Sequence, residues 1–275
     1  MSTASPSNPD PSAPGPAAAT RLRVVLVGTQ HPGNIGSAAR ALKTMGLSRL
    51  VLVAPEKAPN AESSALAAGA DDVLEGAQVH ATLAEAVADC RLVLGCTARS
   101  RRVSLEELPP RLAAPRAVAA AADGGEVALV FGRERTGLDN EELQLCHAAI
   151  HIPANPEYSS LNLAAAVQVM AYELRLALLG GDAAPVPVAA ARSTEAADAG
   201  DPRDEPATHA QLEGFFAQLA DTLDAIDFHK GRAPESAMRK LRRVFLRADL
   251  DVREVRLLRG ILADAQRMAR LAGNE

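Results

Sequence analysis

Short apolar runs alternate along the first two thirds of the chain with stretches in which apolar residues return every third or fourth position. The runs at residues 21–27, 49–54, 79–81, 91–96, 126–131 and 149–152 predict strands. The periodic stretches near 35–45, 82–88, 116–122, 139–147 and 161–179 predict helices. Within the stronger runs, RLRVVLV and EVALVF, the segments VVLV and VALVF are apolar at successive positions, which suits strands covered on both faces. Strands and helices alternating at this spacing predict an α/β fold, a mostly parallel sheet with helices on both faces. Ligand-binding loops then belong at the carboxyl ends of the strands.

Beyond residue 180 the character changes. Residues 181–207 hold Pro185, Pro187, an alanine-rich run and six acids against two bases, and read as a flexible linker. Leu212, Phe215, Phe216, Leu219, Leu223 and Ile226 then follow helical spacing, as do residues 238–248 and 252–271, so residues 208–275 form a small helical module. At the other end, MSTASPSNPDPSAPGPAAAT has no positive or apolar segment of a signal peptide, and its Pro, Ser and Ala content reads as a disordered tail over residues 1–20. No run approaches the roughly 20 apolar residues that a membrane helix needs.

With 48% hydrophobic residues but only 3% aromatic, and no Trp, the core must be built from Ala, Val and Leu. Cys90, Cys96 and Cys146 form no C-x-x-C pair, which points to reduced thiols in the cytoplasm, without disulfides or zinc. The six histidines lack ligand spacing, so no metal is expected. A net charge of −5 weighs against a polyanionic partner until its distribution is considered. From Thr208 onward 12 Lys/Arg face 10 Asp/Glu, leaving 17 against 24 elsewhere. Arg239, Lys240, Arg242, Arg243 and Arg247 crowd one helical stretch, with Leu241, Val244, Phe245 and Leu246 for its inner side. Such a stripe is either a solvated helix face or a guide for RNA.

Three junctions concentrate chemistry. The first runs from a buried strand through Gly28-Thr29-Gln30-His31-Pro32-Gly33-Asn34-Ile35-Gly36 into a helix carrying Arg40. The second runs from EVALVF through Gly132-Arg133-Glu134-Arg135-Thr136-Gly137 toward a helix near Asp139 or Asn140. The third, Ile152-Pro153-Ala154-Asn155-Pro156-Glu157-Tyr158-Ser159-Ser160-Leu161-Asn162-Leu163, leads from a strand end through a proline-stiffened loop into an apolar helix. Hydroxyls, an amide and free N–H groups at a helix mouth suit a polar or anionic ligand, although one serine would also serve as an ordinary cap.

The ordered set Asn34-x-Gly36-x-x-x-Arg40, Gly132-x-Glu134-x-x-Gly137 and Ser160-Leu161-Asn162 resembles the three motifs of the SpoU-type RNA 2′-O-methyltransferases of the SPOUT superfamily. The strings HPGNIGSAARALKTMGL, LVFGRERTGL and NPEYSSLNLA look most like its bacterial tRNA cytidine/uridine branch, which acts on the pyrimidine at position 32 of the anticodon loop. The resemblance implies a homodimer, a C-terminal trefoil knot in the α/β domain, and S-adenosylmethionine held in the knotted loops. It assigns donor contacts to Cys96, Thr97, Ala98, Gly132, Ile152, Ser159, Ser160 and Leu161, within a loop that continues to Arg99 and Ser100. A glycine at 132 would let the donor approach the main chain. A cysteine at 96 stands where a small hydroxyl residue is expected.

The resemblance places nucleophile activation on Arg40, as base, phosphate anchor or alkoxide stabiliser. Deprotonating any guanidinium near neutral pH costs about 7.5 kcal/mol, which weighs on the first role. Asn34 holds the loop or the target ribose; Ser160 orients Arg40 or touches the donor. Asn162 bonds RNA or the motif loops. Glu134, between Arg133 and Arg135, is either catalytic or a structural carboxylate binding backbone N–H groups. Arg135, Arg239, Lys240, Arg242 and Arg243 are candidates for phosphate. An inactive RNA-binding relative, or an enzyme acting on ribosomal RNA or another tRNA site, remains as an alternative. A dinucleotide oxidoreductase does not fit, because Gly28, Gly33 and Gly36 lack G-x-G-x-x-G spacing.

Overall fold

The computed structural model describes residues 16–98, 105–180, 205–230 and 233–272. Residues 1–15 of the expected tail, Arg99 and Ser100 of the expected donor loop, and residues 181–204 of the expected linker lie outside them.

Seven strands form one parallel sheet in the order β3-β2-β1-β6-β4-β7-β5. They are β1 (Leu22–Val27), β2 (Arg49–Val53), β3 (Gln78–His80), β4 (Cys90–Cys96), β5 (Glu107–Leu108), β6 (Glu126–Phe131) and β7 (Ala148–Ile150). β6 lies between β1 and β4, both earlier in the chain, so the carboxyl ends of β1, β6, β4 and β7 stand side by side.

The two sheet faces differ in side-chain size. Leu22, Val24, Leu26, Leu50, Leu52, Leu94, Leu129 and Phe131 pack under helices α2 (Pro32–Thr44), α6 (Pro110–Ala122) and α8 (Leu163–Leu178). Those helices return mostly small residues, Ala38, Ala39, Ala113, Ala114 and Ala117 among them, which lets them seat closely. Val25, Val27, Val51, Val53, Val93 and Val130 line the other face against α5 (Leu83–Ala86) and the region of α7 (Asn140–Gln144). The amino ends of the strands close in an ion network: Arg23, only 4% exposed, reaches Asp89 at 2.6 Å and Glu126 at 2.7 Å.

Several expectations need correction. Residues 16–19 of the supposed tail form a helical turn, α1 (Pro16–Ala19), whose Ala18 joins the core. Two short helices, α3 (Ala61–Ala67) and α4 (Asp71–Glu75), and strand β5 escape the periodicity. α2 begins at Pro32, the favoured place for proline, so Asn34 and Gly36 sit within the helix rather than in a turn before it. A Cβ at Gly36 would stand 2.0 Å from the carbonyl oxygen of Ser63, so this glycine permits the crossing of α2 and α3.

The remaining helices are α9 (His209–Ala225), α10 (Pro234–Arg247) and α11 (Val252–Ala272). Their core gathers Leu212, Phe215, Phe216, Leu219, Leu223 and Val255, with Phe245 edge-on to Phe215 at 4.9 Å. Residues 205–207 are ordered against it: Ala207 is buried and its N–H donates to the carbonyl of Leu250. The module also touches the sheet domain. The N–H of Ala210 donates to the carbonyl of Ala88 at 2.9 Å, and the ring of His209 lies 6.3 Å from that of His147. Among the described residues no helix is long and apolar enough to cross a membrane.

Candidate active site

A cleft opens where the loops leaving β4, β6 and β7 meet. Cys96, Thr97 and Ala98 line it from the first loop, Gly132 to Gly137 from the second, and Ile152, Ser159, Ser160 and Leu161 from the third. All eight residues assigned to the donor by resemblance therefore face one space. Phe131, Leu163 and Ala166 add apolar walls that sequence reading missed; Phe131 and Leu163 belong to the core and Ala166 packs against it. Arg133, Thr136 and Gly137 also line it, from within the motif already singled out.

The loops are laced by backbone bonds. Thr97 N–H donates to the carbonyl of Ile150 at 2.9 Å, and Gly137 N–H closes on the carbonyl of Arg133 at 2.8 Å. The second closure explains Gly132. A Cβ there would stand 2.2 Å from Gly137 C and Leu138 N, so the loop's own return already requires glycine. Burial pushes the Cys96 thiol up to about 12, so it stays neutral and packs against the core.

The polar heart beside the cleft is a chain of hydrogen bonds spanning all three motifs. Asn162 Nδ2 donates to Asn34 Oδ1 at 3.0 Å, and Asn34 Nδ2 donates to Glu134 Oε1 at 2.9 Å. Glu134 also accepts the N–H groups of Gln30 at 3.0 Å and His31 at 3.2 Å. Burial by itself would push the pKa of this carboxyl up. The Asn34 amide and the two N–H groups outweigh it and hold the group below the usual carboxylate range. The flanking arginines are not the cause expected from sequence: Arg133 Nη1 pairs instead with Glu142, at 3.0 and 3.1 Å. Glu134 thus binds two backbone N–H groups and the Asn34 amide, tying the second motif to the first.

Asn162, rather than Ser159 or Ser160, caps α8, its Oδ1 accepting from Ala164 N–H at 2.9 Å and Ala165 N–H at 3.3 Å. The helix therefore starts at Leu163, two residues later than expected, and both serines remain in the cleft wall. Arg40 is exposed on α2, outside the cleft lining, and follows Asn34 by six residues. Arg135 is exposed at the cleft.

Of the basic candidates on α10, Arg239, Lys240 and Arg243 are exposed. Arg242 is instead half-buried. It forms a forked pair with both carboxylate oxygens of Glu213 and lies 4.4 Å over the ring of Phe216, so it holds the module together. Among the described residues no group of three or more His, Cys, Asp or Glu gathers as a metal site would require.

Comparison with known proteins agrees with this geometry. Residues 21–172 match the SpoU rRNA Methylase family, and residues 210–274 match the C-terminal domain of the tRNA methyltransferase TrmJ. The tRNA (cytidine/uridine/adenosine-2′-O-)-methyltransferase TrmJ of Pseudomonas aeruginosa is 48% identical over 91% of this chain and 95% of its own. The tRNA (cytidine/uridine-2′-O-)-methyltransferase TrmJ of Salmonella typhimurium is 49% identical over 89% and 96%. The crystal structure of TrmJ from Z. mobilis superposes with a TM-score of 0.70 at 35% identity, over 88% of this chain and 98% of that one. With a family match across more than half its length and relatives similar almost end to end, the chain belongs to the SpoU methylase family.

Proposed function

We propose that this protein methylates the ribose 2′-hydroxyl of cytidine or uridine in tRNA, at position 32 of the anticodon loop, with S-adenosylmethionine as donor. The observation that carries the reading is the convergence of three loops on one cleft beside the chain Asn162–Asn34–Glu134. Relatives named for this reaction, similar over nine tenths of the chain, support the tRNA substrate.

The cleft suits the donor in its materials. Phe131, Leu163 and Ala166 offer apolar surface to a purine, while Thr97, Ser159, Ser160 and loop backbone offer polar partners to a ribose and an amino-acid tail. When bound, the donor would supply a sulfonium methyl group to the 2′-oxygen and leave as a neutral thioether, with the hydroxyl proton passing to solvent. Glu134 and Asn34 fix the first loop against the second, and Asn162 ties the third to both. Arg40, outside the donor wall, serves the RNA side and stabilises negative charge developing on the 2′-oxygen, a role that avoids the cost of deprotonating a guanidinium. Arg135, Arg239, Lys240 and Arg243 hold the phosphate register. The working unit is a homodimer in the cytoplasm.

Incubation with tritiated S-adenosylmethionine and bulk tRNA, with ribosomal RNA in a parallel reaction, tests this reading. Label should appear in alkali-resistant dinucleotides from the anticodon loop. Label elsewhere in tRNA or only in ribosomal RNA would overturn the site, and binding of S-adenosylhomocysteine and tRNA without transfer would leave an RNA-binding relative.

A further inference from the structure

Tyr158 is 80% exposed, more than any other large apolar side chain among the described residues. Tyr172 and Phe228 are about half exposed, and the remaining aromatics are packed away. Phe131 is buried beneath the cleft, and Phe215, Phe216 and Phe245 pack the helical module. The exposure is not that of a loose tip. Pro153 and Pro156 stiffen the segment, Glu157 N–H donates to Asn155 Oδ1 at 3.1 Å, and Tyr158 N–H donates to the carbonyl of Asn155 at 2.9 Å. The next three residues, Ser159, Ser160 and Leu161, enter the cleft wall. The turn thus carries an exposed aromatic ring on the residue that adjoins the cleft wall in sequence.

A ribose hydroxyl in a loop can enter such a cleft only if its nucleotide leaves the neighbouring stack, and the base then needs a new surface. We propose that Tyr158 is that surface, a positioning residue whose ring stacks on the target pyrimidine and holds its ribose at the cleft. This rests on the methyl-transfer reading above. Every base has a π-face, so one ring serves cytidine and uridine alike and leaves their discrimination to other contacts.

The experiment uses the full-length protein and an anticodon stem-loop RNA carrying either a pyrimidine or an abasic ribose at the target. Tyr158→Ala should lower kcat/KM on the pyrimidine RNA roughly 5- to 150-fold, the factor expected for one aromatic–base stack. Tyr158→Phe, which keeps the ring, should rescue the loss, and affinity for S-adenosylhomocysteine should not move. On the abasic RNA the parent and Tyr158→Ala should react at the same rate, because the stack is already gone. The chain has no Trp, so Tyr158→Trp also introduces a unique fluorophore; its emission should be quenched by the pyrimidine RNA and not by the abasic one. An equal loss for Tyr158→Ala on both RNAs, or dissociation of a dimer by that substitution, would overturn the stacking role and assign the ring to loop or subunit packing. A parent protein that transfers nothing to either RNA would refute the methyl-transfer reading itself, while the fluorescence arm would still report whether a base meets the ring.

Discussion

The sheet domain and the helical module cover their apolar residues to very different degrees. All six residues of β1 are buried, and so are five of the six in β6. In the module α10 buries none and α11 only Val255, while Val244, Leu257, Ile261, Met268 and Leu271 are each at least half exposed. A core closed on both faces holds strand ends rigid, and rigid strand ends can hold polar loops to within the fraction of an ångström that group transfer needs. A helix layer open on one side cannot do that, but it offers a long surface to a large partner. On the proposed reading, chemistry and reach are divided between the two regions.

The largest effect should come from Arg40→Ala. Because Arg40 is exposed and outside the cleft wall, its loss should cut methyl transfer by more than about 100-fold while S-adenosylhomocysteine binding and the unfolding midpoint stay close to the parent's. Activity within a few fold would remove Arg40 from the reaction. Gly132→Val should be nearly as damaging by another route. Its Cβ would collide with backbone at Gly137 and Leu138, which cannot rotate away, so donor binding should vanish together with about 3 kcal/mol or more of stability. An unchanged dissociation constant measured by calorimetry would show that the loop closes some other way.

The contrast between these two substitutions also marks what a sequence displays. The α/β plan was legible because two-sided burial writes continuous apolar runs, as in VVLV and VALVF. The loops were legible because glycines, prolines and polar residues cluster after those runs. The reason for each glycine was not: Gly36 answers to Ser63 and Gly132 to Gly137, and such a clearance is a distance between backbones rather than a property of composition. Likewise Asn34 stands 100 residues before Glu134 and 128 before Asn162, and only the fold joins the three into one hydrogen-bonded line. α3 and α4 escaped although α5 and α7, no longer than they are, did not: AESSALA carries a single large apolar residue, Leu66, and DDVLE only the adjacent Val73 and Leu74, so neither repeats at helical spacing. Arg242 looked like its basic neighbours because pairing with Glu213 on another helix leaves no mark in spacing.

A smaller effect is expected from ending the chain after residue 180, which separates the two regions outright. The sheet domain should fold and bind S-adenosylhomocysteine, since the whole cleft precedes the cut. Affinity for tRNA should fall, and the log–log salt slope should flatten by roughly 0.7 to 0.9 for each phosphate that the module had neutralised. The alternative outcome is aggregation, because the cut also uncovers the surface around Ala88 and His147 on which α9 sits. Soluble truncated protein with unaltered affinity and slope would show that the sheet domain recognises tRNA alone.

The smallest effect concerns the junction between the regions and should appear only in acid. His147 is enclosed, and burial first, then repulsion from His209, Arg116 and Arg242, lowers its pKa from 6.5 to about 3. Its Nδ1 accepts the N–H of Val93 at 3.0 Å, which a protonated ring could not do. His209 is shifted the same way: burial and Arg242 disfavour its charge, partly opposed by Glu213. Both folded values lie below the unfolded ones, so the unfolded chain binds more protons between them. The stability these neutral rings provide is complete above about pH 6.5 and drains away as the pH falls toward 3. Urea unfolding at pH 7.5 and pH 5 should therefore show an acid loss in the parent that shrinks in His209→Leu, which removes one of the two rings. If the two proteins lose stability equally between those pH values, the histidine pair does not set the acid sensitivity of the joint between chemistry and reach.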